Sequence, residues 1–296
     1  MSKKIAIFMM PILIFLIIIG ITLYTYYAVK GVESKPIKQI EESTNIQEYK
    51  YMDRKVFVVE PKQGITSENT ILYFHGGAYV GEITEEYWQF INKLVNDTGA
   101  RIIVPDYPLV PKYSYKDVFE MVEPLYKQII SKTDTNKLIA IGDSAGGGLT
   151  LALEEKLSSQ SIALPQKTIL ISPWLDVSME NEKIDEYQVN DKELNKETLT
   201  LAGIAYAKDT DVKNYLVSPI YGDLSKLKNL VIYTGTYDIL NPDAHLLQEK
   251  ALAINVNIEL KEYEKAGHIW IIKQNENDEL WKNSYSDFLY LVKNIT

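Results

Sequence analysis

Leu138-Ile139-Ala140-Ile141-Gly142-Asp143-Ser144-Ala145-Gly146 is the stretch on which the reading turns. It carries G-x-S-x-G between an apolar, strand-like run and a helix-like run from Leu149 to Leu157. Strand, tight turn, helix is the order that lifts a serine hydroxyl off the end of a strand. Gly142 and Gly146 spare the side chains that would collide where the two backbones pass closely. A helix starting near Ala145 aims its free N–H groups and positive dipole end at that serine. A glycine-rich turn after any buried strand could show the same five residues, so their weight comes from what surrounds them.

An α/β rhythm surrounds them. Strands are expected at Val56–Val59, Ile71–Phe74, Arg101–Val104, Leu138–Ile141, Thr168–Ile171, Leu230–Thr234 and Ile258–Tyr263. Several are short apolar runs without alternation, as strands buried on both faces should be. Helices are expected at Glu85–Asp97, Tyr115–Ser131, Ala145–Leu157 and Pro242–Ile254, with an amphipathic one from Asp278 to Val292. Asn241 is placed to cap the helix that has Pro242 at its first position. Alternating strands and helices imply a mostly parallel central sheet flanked by helices. The polar, helix-prone region from about Val177 to Tyr215 interrupts the rhythm and reads as a helical cap insertion over the sheet's carboxyl edge.

A serine nucleophile needs a base, and the base needs an orienting acid. The chain has three histidines. His268 lies in a loop after the last expected strand, at the sheet's carboxyl edge. His245 falls inside a helix. His75 belongs to Tyr73-Phe74-His75-Gly76-Gly77-Ala78-Tyr79, where its expected work, with Gly76, is to brace a loop. His268 is therefore the candidate base. Asp238 follows the strand Leu230–Thr234 and is the preferred acid, with Asp176 the runner-up and Asp243 a helix-start residue. The glycines after His75 can turn backbone N–H groups towards a ligand, as acyl transfer needs where charge gathers on a carbonyl oxygen.

The His75-Gly76-Gly77-Ala78 loop, the Gly-Asp-Ser144-Ala-Gly elbow and Asp106-Tyr107-Pro108-Leu109-Val110-Pro111 resemble the hormone-sensitive-lipase-like branch of the α/β-hydrolase esterases. Gly-Thr-Tyr-Asp238 and Gly-His268 are similar to that branch's acid and base segments, and the resemblance spans roughly Ile71 to Trp270. Pro108 stands where arginine is usual. The resemblance implies the triad Ser144, Asp238, His268 and oxyanion donors from the backbone of Gly77, Ala78 and Ala145. It implies a serine carboxylesterase working through an acyl-enzyme on short-to-medium acyl esters, with no metal or cofactor. Ala78 replaces the commoner glycine, which narrows the room for bulky tertiary alcohols. A peptidase or amidase of the same fold shares the triad, and a non-catalytic hydrolase-like binding protein is the reading from another class.

Composition fits one large domain. The 296 residues are 46% hydrophobic and carry a formal net charge of -9, with no basic tract of the kind that binds nucleic acid. The chain has no cysteine, so disulfides, thiolate metal sites and a cysteine nucleophile are excluded. Residues 5–29 hold no charge and follow Lys3 and Lys4; at 25 residues the stretch exceeds the ~20 a membrane-spanning helix needs. Tyr24, Tyr26 and Tyr27 suit the far interface. Residues 1–29 are thus expected to be an uncleaved transmembrane anchor with the catalytic domain outside, a cleaved signal being the rival. Residues 30–55 read as a tether that can join the cap, and residues 56–296 as the catalytic domain. The partners expected are a small ester and, through the anchor, a membrane.

Overall fold

The computed structural model describes residues 34–295. The expected anchor at residues 1–29 lies outside them, and among the described residues no helix is long and apolar enough to cross a membrane. The eight strands are β1 (Thr44–Tyr51), β2 (Arg54–Pro61), β3 (Thr70–Phe74), β4 (Arg101–Pro105), β5 (Leu138–Asp143), β6 (Lys167–Ile171), β7 (Leu230–Gly235) and β8 (Ile258–Tyr263). They form one sheet in the order β1-β2-β4-β3-β5-β6-β7-β8. β1 and β2 run antiparallel, and the strands from β4 to β8 are parallel.

The helices are α1 (Glu85–Thr98), α2 (Tyr115–Ile130), α3 (Ser144–Ser159), α4 (Ile184–Gln188), α5 (Lys196–Ala207), α6 (Asn241–Ala253) and α7 (Glu279–Lys293). They cover both faces of the sheet, and the strand residues divide between them with a period of two. Ile71 and Tyr73, with Ile139 and Ile141, pack towards Trp88 and Phe90 of α1 and Phe288 of α7. Leu72 and Phe74 turn the other way, towards Val122 and Leu125 of α2 and Leu149 and Leu153 of α3. Both faces are buried, which is why these strands carry apolar runs without alternation.

Two expectations are corrected. Residues 30–55 are not simply a tether, because Thr44–Tyr51 is β1, paired along its length with β2 from Thr44 opposite Pro61 to Tyr51 opposite Arg54. It is an edge strand whose residues after Thr44 are all at least partly exposed, so it carries no apolar run to announce it. Its charged Glu48 and Lys50 also discourage further strands from adding there. Asn241 does not cap α6; it is that helix's first residue, and its side-chain amide donates to Glu262 Oε1 at 2.8 Å. The region between β6 and β7 holds α4 and α5, as its helix-prone composition led us to expect.

Candidate active site

β5 ends at Asp143 and α3 begins at Ser144, whose φ of 51° lies in left-handed backbone. For an L-residue that costs on the order of 1–2 kcal/mol, so the turn must be held from outside. The hold is close contact. A Cβ on Gly146 would run into the carbonyls of Phe74 and His75, and one on Gly142 into the carbonyl of Gly146. The serine is thereby pinned against the loop that follows β3.

Two residues from two further loops line up behind it. The Ser144 Oγ lies 3.0 Å from His268 Nε2. His268 Nδ1 lies 2.9 Å from Asp238 Oδ2. With the proton on Nδ1 and donated to Asp238, Nε2 is left to accept the serine O–H. Burial disfavours the charged imidazole, but the Asp238 charge and hydrogen bond outweigh it, and the His268 pKa is raised above 6.5. Asp238 is completely buried, and its Oδ1 accepts the Leu240 N–H at 2.9 Å. The next amide, that of Ile239, donates to Asp191 Oδ2 at 3.0 Å, so the segment between β6 and β7 braces the acid loop.

The other candidates separate cleanly. Asp176 is engaged elsewhere: Oδ2 accepts from Tyr221 at 2.7 Å, and Oδ1 from the Ser178 amide at 2.8 Å. Asp243 accepts from Asn181 at 2.8 Å, and burial pushes its carboxyl up to about 7. His245 is a surface residue paired with Glu262 at 2.7 Å. Among the described residues no group of three or more histidine, aspartate or glutamate side chains is placed to hold a metal ion.

The loop after β3 wraps the elbow. Gly77 has φ 104°, and a Cβ there would come 2.9 Å from the Gly81 carbonyl. The Gly77 carbonyl accepts from the amides of Val80 at 2.9 Å and Gly81 at 2.7 Å, which closes a tight turn. Ala78 continues in left-handed backbone. His75 is wholly buried with its ring stacked on Tyr107 at 4.4 Å, while the Tyr107 hydroxyl donates to the His75 carbonyl at 2.6 Å. Burial drops the His75 pKa to about 4, so this ring stays neutral and supports the loop. Ala145 lies in the first turn of α3, where amides have no partner within the helix. Beside Pro108, Arg54 of β2 donates to the carbonyls of Asp106 at 2.8 Å and Tyr107 at 3.0 Å.

One residue escaped the sequence reading. Asp143, directly before the serine, is fully buried and accepts hydrogen bonds from Tyr73 at 2.5 Å and Tyr87 at 2.9 Å. Burial pushes its carboxyl up to about 6, against the pull of both phenols, the His268 charge and the Gly76 amide. It thus ties the elbow to the glycine loop. Its position inside G-x-S-x-G was the available signal, but Tyr73 and Tyr87 gave none.

Known proteins share this fold. A family model described as alpha/beta hydrolase fold matches residues 71–272. An esterase of Acinetobacter venetianus is 30% identical over 207 residues, 69% of this chain and 68% of the relative. An acetyl-hydrolase of Streptomyces hygroscopicus is 27% identical over 202 residues, 68% of either chain. Among solved structures, an esterase from the bacterial hormone-sensitive lipase family superposes with a TM-score of 0.79 at 23% identity, over 92% of this chain and 89% of that one. The family match over residues 71–272, together with the 30% identity to the Acinetobacter esterase, means that the chain belongs to the alpha/beta hydrolase fold family of esterases and lipases.

Proposed function

We propose that the protein is a serine carboxylesterase in which Ser144 is the nucleophile, His268 the base and Asp238 the acid. The observation that carries the assignment is the continuous contact from Ser144 Oγ to His268 Nε2 at 3.0 Å and from Nδ1 to Asp238 at 2.9 Å. His268 takes the serine proton as Oγ bonds to the ester carbonyl carbon. The carbonyl oxygen becomes an oxyanion, met by the N–H groups of Gly77, Ala78 and Ala145. The imidazolium, held by Asp238, gives its proton to the leaving alkoxide as the C–O bond breaks. Water, deprotonated by the same ring, then attacks the acyl-enzyme and releases the acid.

The segment from about Val177 to Tyr215, with α4 and α5, serves as the cap, and the substrate is a small ester with a short acyl chain of about C2 to C6. The cap's first half is rich in charge, with Glu180, Glu182, Lys183, Asp185 and Glu186, which suits water-soluble esters rather than an oil surface. Residues 1–29 anchor the enzyme in a membrane with the catalytic domain on the outer side, a reading that rests on the uncharged run of residues 5–29. Membrane fractionation resistant to carbonate tests it, and a mature N-terminus near Val29–Ser34 would replace the anchor with a cleaved signal.

The catalytic assignment is tested with a fluorophosphonate probe, which bonds only to an activated serine. Labelling of the wild type and none of Ser144→Ala is expected. p-Nitrophenyl acetate should be hydrolysed and an aminoacyl-p-nitroanilide left intact; the reverse preference would make the enzyme an amidase.

A further inference from the structure

Gly77, Ala78 and Tyr79 run consecutively through left-handed backbone, at φ 104°, 54° and 61°. Glycine adopts this freely, whereas each L-residue pays on the order of 1–2 kcal/mol. Two such residues in succession need contacts that hold them, and the contacts gather on Tyr79. Its ring, 1% exposed, lies face to face on Tyr206 with centroids 3.6 Å apart and planes 2° from parallel. A second ring, Trp174, stacks on it at 5.8 Å. The Tyr79 carbonyl accepts the Val110 N–H at 2.9 Å.

Each neighbour is anchored in turn. Tyr206 is the next-to-last residue of α5, fully buried, with Tyr115 edge-on at 6.3 Å. The Tyr115 hydroxyl shares a 2.8 Å hydrogen bond with Thr210, just beyond that helix. Trp174 donates its backbone N–H to the Ser144 carbonyl at 2.8 Å and its indole N–H to the Asp176 carbonyl at 3.0 Å. The aromatic stack therefore joins the inserted helix, the glycine loop and the nucleophile's own backbone.

We infer that Tyr206 is a positioning residue for the oxyanion loop: stacked on Tyr79, it holds Gly77 and Ala78 in the backbone conformation that presents their N–H groups to the reacting carbonyl. The inference rests on the esterase reading above. Tyr206 acts through Tyr79. Such a residue matters most in the transition state, where the oxyanion needs its donors, and little in ground-state binding. The stack uses the faces of the rings, so phenylalanine fulfils the role and an aliphatic side chain of similar bulk does not.

The test compares full-length wild type with Tyr206→Phe and Tyr206→Leu, with Tyr206→Met as a second aliphatic variant in case the first fails to fold. Near-ultraviolet circular dichroism establishes folding. With p-nitrophenyl acetate, kcat should fall roughly ten- to a hundredfold in the aliphatic variants, short of the ~10²–10³ lost with a whole oxyanion donor. KM should change less than about threefold, and affinity for a boronic acid, which becomes a tetrahedral adduct when Ser144 Oγ adds to boron, should fall with kcat/KM, because the interaction is made in the transition state. Tyr206→Phe should stay within about twofold of wild type, since it keeps the stacked face. A folded aliphatic variant with wild-type kcat, a loss confined to KM, or a phenylalanine variant as impaired as leucine would overturn the role of Tyr206. A wild type inert towards both ester and fluorophosphonate would overturn the esterase reading and this inference together.

Discussion

Glu154 sits on α3, two turns and more from the nucleophile, with 4% of its surface exposed. Its carboxyl accepts the Thr168 hydroxyl, and burial pushes its pKa from 4.5 up to about 7. Beside it Glu155 is buried too, and burial, Asp223 and Glu154 raise it well above the ordinary range. Between pH 4.5 and about 7 the unfolded chain has released the Glu154 proton and the folded chain still holds it. The folded state binds more protons there, so stability falls as pH rises through that window. At about 1.4 kcal/mol per tenfold, the gap corresponds to roughly 3 kcal/mol lost by pH 8. Glu154→Gln removes the proton while keeping a carbonyl for Thr168. Its extra amide N–H groups cost about 1 kcal/mol at every pH if they find no partner, which cancels from a comparison across pH. Urea unfolding of wild type and variant at pH 5 and pH 8.5 measures the difference. The variant should gain about 2–3 kcal/mol relative to wild type between the two. An equal difference at both pH values would show that Glu154 is ionised in the folded protein and refute the reasoning.

Asp238→Asn should lower kcat by about 10³–10⁴, because the His268 tautomer is lost, while a folded Asp176→Asn stays within about tenfold; steady-state kinetics that rank them the other way would reassign the acid. The acid limb of kcat/KM should have its midpoint above 6.5, since His268 must be neutral and Asp238 holds its proton on, and pH–rate profiles should show that midpoint falling in Asp238→Asn. Across p-nitrophenyl esters from C2 to C16 in matched detergent, kcat/KM should peak at or below about C6, each methylene adding at most ~0.8 kcal/mol where the pocket has room; a maximum at C12 or beyond would make the enzyme a lipase.

The sheet's interior was legible because burial on both faces leaves an apolar run within each of β3, β5, β6 and β7: Ile71–Phe74, Leu138–Ile141, Ile169–Ile171 and Leu230–Tyr233. β1 was not, because an edge strand with one neighbour can be polar along nearly its whole length, as Thr44–Tyr51 is. Ser144 and His268 stood out through rare residues at the carboxyl ends of strands. Asp238 and Asp176 both follow strands, and only the third dimension tells which of them meets the imidazole. Asp143 had only its place inside G-x-S-x-G to mark it and Tyr206 had nothing, because their partners, Tyr73, Tyr87 and Tyr79, lie far off in sequence and chain periodicity carries no record of such meetings.

The bond from the Ile239 amide to Asp191 bears on how such an enzyme can diversify. Asp191 belongs to the segment between β6 and β7, the stretch proposed above as the cap. Here that stretch also shores up the backbone beside Asp238, and Asn181 from the same stretch reaches Asp243 in the first turn of the following helix. A transplanted segment without an acceptor at the place of Asp191 would leave a buried amide unsatisfied next to the acid. On the proposed assignment, substrate range and catalytic competence are inherited together: successful hybrids must carry the residue that matches the acid loop, or acquire the loop as well.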